Sequence, residues 1–335
     1  TDGGQSWVMT TDPNQLHNVT CVSQDKRAGK ENIWYFGSGE LTGSSASGGE
    51  AYYGGNGIYK SVDGGLSWDS LSVTATNTNG FDSNFDFIWN IETDPSNDSL
   101  DVVYAATYGT IYRSENGGDS WVKELGGGST YYNNVEVTSS GEVYATLSSD
   151  GLDKGIWYSL DGQNWTNITD SLFPPTYGRI AIGVNPSNEN EVYFLAAETD
   201  NYGQHTDVFF NGETWTSLWK YDSSDSSWVN LSSNIPANQS TSFDNFNAQG
   251  GYDLLVKIHP TDHNTVYIGG TNLWRSSDGF TTPNNTMIIG GYFIGSVEGD
   301  GNWGVYPNHH PDQHDLLFFP SDANVILSAT DGGVF

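Results

Sequence analysis

The sequence predicts an all-β chain folded as a β-propeller, and three observations carry that reading. One phrase, a strand running into Ser-x-Asp-Gly-Gly and on to a Trp, returns along the chain. A second phrase, built on a Pro-Ser/Thr-Asn/Asp turn, alternates with it. The composition completes the picture: 41 Gly with 12 Trp, 19 Tyr and 15 Phe in 335 residues that are only 36% apolar. Short strands closed by glycine turns, with large aromatic rings packed between sheets, produce this profile.

The first phrase is Gly57-Ile58-Tyr59-Lys60-Ser61-Val62-Asp63-Gly64-Gly65-Leu66-Ser67-Trp68, and it returns as Thr110-Ile111-Tyr112-Arg113-Ser114-Glu115-Asn116-Gly117-Gly118-Asp119-Ser120-Trp121. A shortened copy runs from Gly155 through Ser159 and Asp161 to Trp165. Degenerate copies lie at Leu218 through Asp222 to Trp228 and at Leu273 through Asp278 to Gly279; Thr1-Asp2-Gly3-Gly4-Gln5-Ser6-Trp7 is the tail of another. Chemically the phrase is a locked hairpin. The carboxylate or amide of Asp2, Asp63, Asn116, Asp161, Asp222 or Asp278 can accept backbone N–H bonds inside the turn, and the glycines supply positive φ. The chain then reverses, so that Trp7, Trp68, Trp121, Trp165 or Trp228 can pack back over the turn.

The second phrase appears as Asp94-Pro95-Ser96-Asn97 before Val103-Tyr104, as Asn185-Pro186-Ser187-Asn188 before Val192-Tyr193, as His259-Pro260-Thr261-Asp262 before Val266-Tyr267, and as Phe319-Pro320-Ser321-Asp322 before Val325-Ile326. Each is a strand, a turn and another strand. Two phrases together give four strands per unit of roughly 45–60 residues, the size of a propeller blade. The repeats predict about six blades, or seven and more if neighbouring sequence contributes. No Pro/Ser linker interrupts them, so residues 1–335 read as one domain. Because Thr1 opens inside one copy and Phe335 closes before another, the chain is expected to be a fragment or processed piece of a longer polypeptide. In an alternative reading the Trp7 strand completes the last blade.

These residues resemble the Asp-box (BNR) repeat of sialidases, sortilin-type receptors and xyloglucanases, and most of all large secreted bacterial proteins with sortilin-like or sialidase-like repeats. The phrases Phe36-Gly37-Ser38-Gly39-Glu40 and His310-Pro311-Asp312-Gln313-His314 leading to Asp331-Gly332-Gly333 extend the resemblance over essentially the whole chain. It implies a propeller and an extracellular or cell-surface location in a bacterium. It does not imply an activity, because the Asp box lies on the rim of such folds and many functions share them. Sialidase chemistry would require an arginine cluster for the substrate carboxylate. Only Arg27, Arg113, Arg179 and Arg275 exist, and Arg113 and Arg275 occupy the strand end beside an Asp box.

Charge excludes other classes. With 11 Lys+Arg against 41 Asp+Glu the net charge is −30, so nucleic acid and anionic membrane surfaces are not partners: the cations needed for counterion release are missing. No apolar run is long enough for a membrane-spanning helix. Cys21 stands alone and can form no internal disulfide.

Four regions carry candidate chemistry. His310, Asp312 and His314 alternate, so on an extended segment they would share one face and offer two imidazoles and a carboxylate to a transition-metal ion; His259 or His263 could join from a neighbouring blade. The competing reading is that they pin a loop by bonding its backbone. In the glycine- and aromatic-rich stretch from Gly290 to Tyr306, Glu298, Asp300 and Trp303 suit sugar binding, a carboxylate for hydroxyls and a ring for stacking. The insertions 39–55 (Glu40, Glu50) and 198–215 (Asp200, His205, Asp207, Glu213) could hold Ca²⁺ through oxygen ligands, without the spacing of a dedicated calcium loop. A Ca²⁺ or transition-metal ion is therefore the only cofactor candidate.

The preferred functional reading on these grounds is a non-catalytic, secreted or cell-surface propeller that binds a protein or glycan partner. The alternatives are a glycoside hydrolase acting on a neutral polysaccharide, and a structural display domain of a large exported adhesin or assembly.

Overall fold

The computed structural model describes residues 6–12, 18–44, 50–78, 80–208, 212–237, 245–293 and 304–335. Among them the chain is all-β, its helical content confined to short 3-10 turns such as Asn84–Asp86. Six antiparallel sheets follow one another as the blades of a β-propeller. The first is built from Val19–Gln24, Trp34–Ser38, Ile58–Ser61 and Asp69–Ser70; the second from Ile88–Thr93, Val103–Thr107, Thr110–Ser114 and Val122–Gly126. The third holds Asn133–Val137, Val143–Leu147, Gly155–Ser159 and Thr166–Asn167. The fourth holds Ile180–Val184, Glu191–Ala197, Gly212–Asp222 and Ser227–Asn230, and gains Gln204–Val208 on the long third strand. Leu255–His259, Asp262–Gly269, Leu273–Ser276 and Thr286–Gly290 form the fifth, and Gln313–Phe319, Asp322–Thr330 and Gly333–Val334 the sixth. Residues 6–12 belong to no strand, so the described part of the Trp7 segment does not supply a strand to any blade.

The second strands Val103–Thr107 and Val143–Leu147 are buried at every position, whereas the outer strands Asp69–Ser70 and Thr166–Asn167 are exposed. A strand packed on both faces loses the apolar/polar alternation of a half-exposed one, which is why Val-Val-Tyr-Ala-Ala-Thr reads as a continuous apolar and small run. The chain divides into two compact units, residues 1–144 with 158–166, and residues 145–157 with 167–335. The first has a core of Tyr35, Ile58, Phe85, Ile88, Ile91, Val103 and Ala105. In the second, Leu195, Leu218, Phe246, Val256, Val266, Ile268 and Phe280 lie in one buried cluster.

The recurring turns are hydrogen-bonded locks. Ser61 Oγ donates to Asp63 Oδ1 at 2.7 Å and accepts from Gly65 N at 2.9 Å. Asp63 accepts in turn from Ser67 N at 2.9 Å and Ser67 Oγ at 2.6 Å. Ser114–Asn116–Ser120, Ser159–Asp161–Asn164 and Ser276–Asp278–Thr282 repeat the scheme. Trp121 folds back so that its Nε1 donates to Gly118 O at 3.1 Å. Trp68 stacks obliquely on Phe36 at 4.7 Å. The indole nitrogen of Trp165 is buried without an acceptor. Asp222 differs, because Lys220 and not a serine stands two residues before it; its Oδ1 accepts from Ser224 N and Oγ within its own turn. Trp228 still packs, against Tyr221 at 4.8 Å and Phe194 at 5.4 Å. Trp7 is 77% exposed, and Asp2 lies outside the described residues.

Three of these locks also meet the preceding blade. Tyr35, on the second strand of the first blade, donates its hydroxyl to Gly117 O at 3.2 Å. The Tyr104 hydroxyl likewise packs against Gly162, and that of Tyr193 against Gly279. Asp25 and Asp101 grip Arg27, whose Nη1 also donates to Asn97 O at 2.7 Å and Leu100 O at 2.8 Å. This ties the first blade to the turn of the second.

Candidate carboxyl site of the second unit

Successive hairpins of an antiparallel sheet reverse at alternate ends, so in each blade the Ser-x-Asp turns share one end with the Pro-Ser turns. The hairpins between second and third strands, and the connections between blades, gather at the other end. In the second unit that other end brings together four segments: residues 249–253 ahead of the fifth blade, 271–272 in its middle hairpin, 308–314 ahead of the sixth, and 331–332 in the middle hairpin of the sixth; all but 271–272 carry an aspartate.

Backbone bonds join these segments. Asp312 N donates to Thr271 O at 3.0 Å, Gln313 N to Gly270 O at 2.9 Å, and Asp331 N to Asp312 O at 3.3 Å. Positive φ at Gln249, Gly250 and Gly251 (43°, 68° and 88°) turns the chain sharply just before Tyr252-Asp253. Arg179 Nη1 fastens that turn from below, donating to Gly251 O at 3.2 Å and Tyr252 O at 3.0 Å.

Three carboxyl groups result, in three different environments. Asp253 is fully buried, and neither of its oxygens has a hydrogen-bond donor among the described residues. Its carboxyl interacts electrostatically with that of Asp312. Burial foremost, then the charges of Asp312 and Asp331, hold Asp253 well above the usual carboxylate range. Asp312 is half-buried, accepts from Gln249 Nε2 at 3.2 Å, and is likewise raised by burial and by Asp331. Asp331 goes the other way. His314 Nε2 lies 2.5 Å from its Oδ1, Tyr252 OH donates to the same oxygen at 3.3 Å, and the His314 contact pulls Asp331 below the ordinary value. The edge of the Tyr252 ring meets His314 at 5.1 Å, fixing the imidazole. Tyr292, beside the cluster, is pushed up to about 12 by burial and by the three aspartates.

The structure separates the residues singled out on sequence. Asp312 has φ of 66°, so His310, Asp312 and His314 are not on one extended strand and do not share a face. His310 turns its Nδ1 to Pro311 O at 2.9 Å and packs over Gly332, while His314 faces Asp331. His259 Nδ1 accepts from Asp262 N at 3.1 Å within its own turn. Of the insertion residues, His205 and Glu213 pair at 3.0 Å across the Gln204–Val208 ribbon. Among the described residues no three His, Cys, Asp or Glu side chains are grouped to hold a metal ion. Glu298, Asp300 and Trp303 lie outside the described residues. Asp253 and Tyr252 were missed on sequence; the only signal for them was the Gln249-Gly250-Gly251 run that aims them.

The arginines have structural partners. Besides Arg27 and Arg179, Arg113 donates Nε to Tyr104 OH at 3.2 Å and Nη1 to Glu115 at 2.6 Å, and Arg275 Nη2 lies 3.0 Å from Met287 Sδ. No helix among the described residues is long and apolar enough to cross a membrane.

No protein-family profile matches the chain. A xyloglucanase from Paenibacillus sp is 26% identical over 259 residues, which are 66% of this chain and 23% of that protein. The chain thus spans about a quarter of the length of this curated relative. In fold it is similar to the GH74 xyloglucanase from Xanthomonas campestris, with a TM-score of 0.60 at 16% identity over 96% of this chain and 45% of that one. An ancestral GH74 enzyme gives 0.58 at 18% identity over 97% and 40%. The α-L-arabinofuranosidase of Fusarium graminearum gives 0.52 at 11% identity over 95% and 90%. These structural likenesses show the propeller fold.

Proposed function

We propose that this chain is part of a glycoside hydrolase acting on a neutral polysaccharide, with Asp312 and Asp331 as its working carboxyls. The observation that carries the reading is the placing of two neighbouring carboxyls on one loop end, one raised by burial and one lowered by its His314 contact. Asp312, raised by burial and by the charge of Asp331, is suited to donate a proton to a leaving oxygen. Asp331, kept ionised by His314 and Tyr252, is suited to activate water or to stabilise positive charge on the sugar. Glycosidic cleavage requires such a pair, and separating their environments is the usual way to assign acid and base. The similarity to the Paenibacillus xyloglucanase points to the same chemistry and makes xyloglucan the first substrate to try.

Neutral substrates are favoured because the chain carries a net charge of −30 and the site itself is acidic, so a polyuronide would be repelled. A polymeric substrate also favours an exported, extracellular protein, in keeping with the Asp-box character of the Ser-x-Asp turns. The non-catalytic binding role preferred on sequence rested on the fold-specific repeats, the acidic surface and the lack of a matched catalytic set; the carboxyl pair supports the hydrolase reading over it.

The test is release of reducing ends from xyloglucan and other soluble neutral polysaccharides by the purified chain. Asp312→Asn and Asp331→Asn are each expected to lower the rate by about 10²-fold or more, with thermal stability retained. No release from any neutral polysaccharide, or release indifferent to both substitutions, would overturn the proposal.

A further inference from the structure

A row of aromatic side chains in the first unit has no part in the carboxyl site. Phe81 precedes the second blade, Trp89 lies on that blade's first strand, Tyr108 on its middle hairpin, and Tyr131 and Tyr132 on the connection that follows its last strand. Their rings form two groups of contacts. Phe81 meets the buried Phe87 edge-on at 5.2 Å and Tyr108 at 4.8 Å; Tyr108 meets Tyr131 at 5.8 Å; Trp89 leans on Tyr132 at 4.9 Å. Phe81 is 48% and Tyr131 47% exposed.

The backbone beneath is fixed in place. Tyr108 N donates to Phe87 O at 3.0 Å and Gly109 N to Thr130 O at 2.9 Å. Trp89 Nε1 donates to Tyr131 O at 2.6 Å, and Asn133 Nδ2 to Thr107 O at 2.5 Å. Gly109 approaches Gly128 so closely that an added Cβ would stand 2.4 Å from Gly128 O. Exposed rings held on a rigid frame bind with little ordering cost, and an exposed aromatic patch rimmed by polar groups marks a ligand surface.

We propose that Phe81, Tyr108 and Tyr131 form a stacking platform for an uncharged glycan strand. Charge selects this occupant. Residues 75–93, 105–111 and 127–136 contain no Lys, Arg or His and include Asp82, Asp86, Glu92 and Glu136. Lys123, on the outer strand, reaches Gly127. An anionic polymer finds no counter-charge on these loops, and the Met and Arg anchors typical of protein interfaces are missing from them. Amphipathic rings flanked by amides and hydroxyls match the apolar faces and polar edges of a sugar ring. The proposal does not rest on hydrolysis.

The test is binding of the whole chain to hydroxyethylcellulose, a soluble neutral β-glucan, and to xyloglucan, by retardation in polysaccharide-containing native gels and by titration of tryptophan fluorescence. Phe81→Ala and Tyr131→Ala should each weaken binding by about tenfold, and the double variant should abolish retardation. Tyr131→Phe should retain binding, since it keeps the ring, and Leu152→Ala, at a 97% exposed side chain, should change nothing. Equal melting temperatures would show that the variants fold. The Asp312→Asn/Asp331→Asn pair should still bind, so loss of hydrolysis and loss of binding are read separately. Undiminished binding by the Phe81→Ala/Tyr131→Ala variant overturns the proposal. So does wild-type protein that binds neither polymer, which would turn attention to a protein partner.

Discussion

The hydroxyl of Tyr104 occupies the space above Gly162: a Cβ built on that glycine would lie 1.9 Å from it. Tyr104 is on the second strand of the second blade, and Gly162 is in the locked turn of the third. The same pairing recurs between Tyr193 and Gly279, where the distance is 2.8 Å, and between Tyr35 and Gly117, where it is 3.3 Å. The turn glycine is therefore required twice, once for its positive φ and once for the tyrosine of the preceding blade.

Gly162→Ala is expected to destabilise the protein by about 2–4 kcal/mol, combining overpacking with a left-handed alanine. Gly279→Ala should cost less, and the ordering should follow the distances to the two tyrosine hydroxyls. In a Tyr104→Phe background the Gly162→Ala penalty should shrink without vanishing, because Cζ would still lie 2.7 Å away. Urea midpoints of the four members of that cycle check this.

Arg27 is 9% exposed and satisfied by two aspartates and two carbonyls. Arg27→Ala leaves Asp25 buried without its partner and should cost about 3–5 kcal/mol. Arg27→Lys should recover only part of it, since an ammonium cannot reproduce the planar fork. Equilibrium denaturation of the three proteins decides.

Acid should loosen the locked turns. The Ser67 hydroxyl foremost, with Ser67 N and the Ser61 hydroxyl, pulls Asp63 down to about 2. A depressed carboxylate contributes stability that is complete above its unfolded value of about 4 and disappears as pH falls toward the folded one. Asp63→Asn should thus lower the melting temperature at neutral pH and narrow its difference from wild type between pH 4 and 2.

Asp253 has the opposite sign. Its folded value is raised by burial, so its favourable contribution is complete below the unfolded carboxylate value and is lost as pH rises through the folded one. Asp253→Asn, which cannot ionise, should gain in melting temperature relative to wild type as pH is raised from 4 to 9. A constant difference across that range would show that Asp253 is ionised throughout.

The blades were legible because each carries its own local signals. Ser61-Val62-Asp63-Gly64-Gly65 and Asp94-Pro95-Ser96-Asn97 specify turns from residues a few positions apart, and Val103-Tyr104-Ala105 specifies a buried strand. The alternation of His310, Asp312 and His314 was read as one face, and the reading fails at a single residue whose φ is positive. Non-glycine residues in that region are uncommon and leave no mark in the sequence.

The sequence by itself determined the strand-turn repeat, the propeller it builds and the acidic character of its surface, since turn chemistry, strand pattern and charge are local or additive properties. Only the tertiary structure decided which side chains meet. Asp253, Asp312 and Asp331 are brought together from three separate loops, and Phe81, Tyr108 and Tyr131 from three others, by sheets that place distant connections at one end of each blade. The protonation of the three aspartates follows from that meeting, because burial and neighbouring charge act through space and not along the chain.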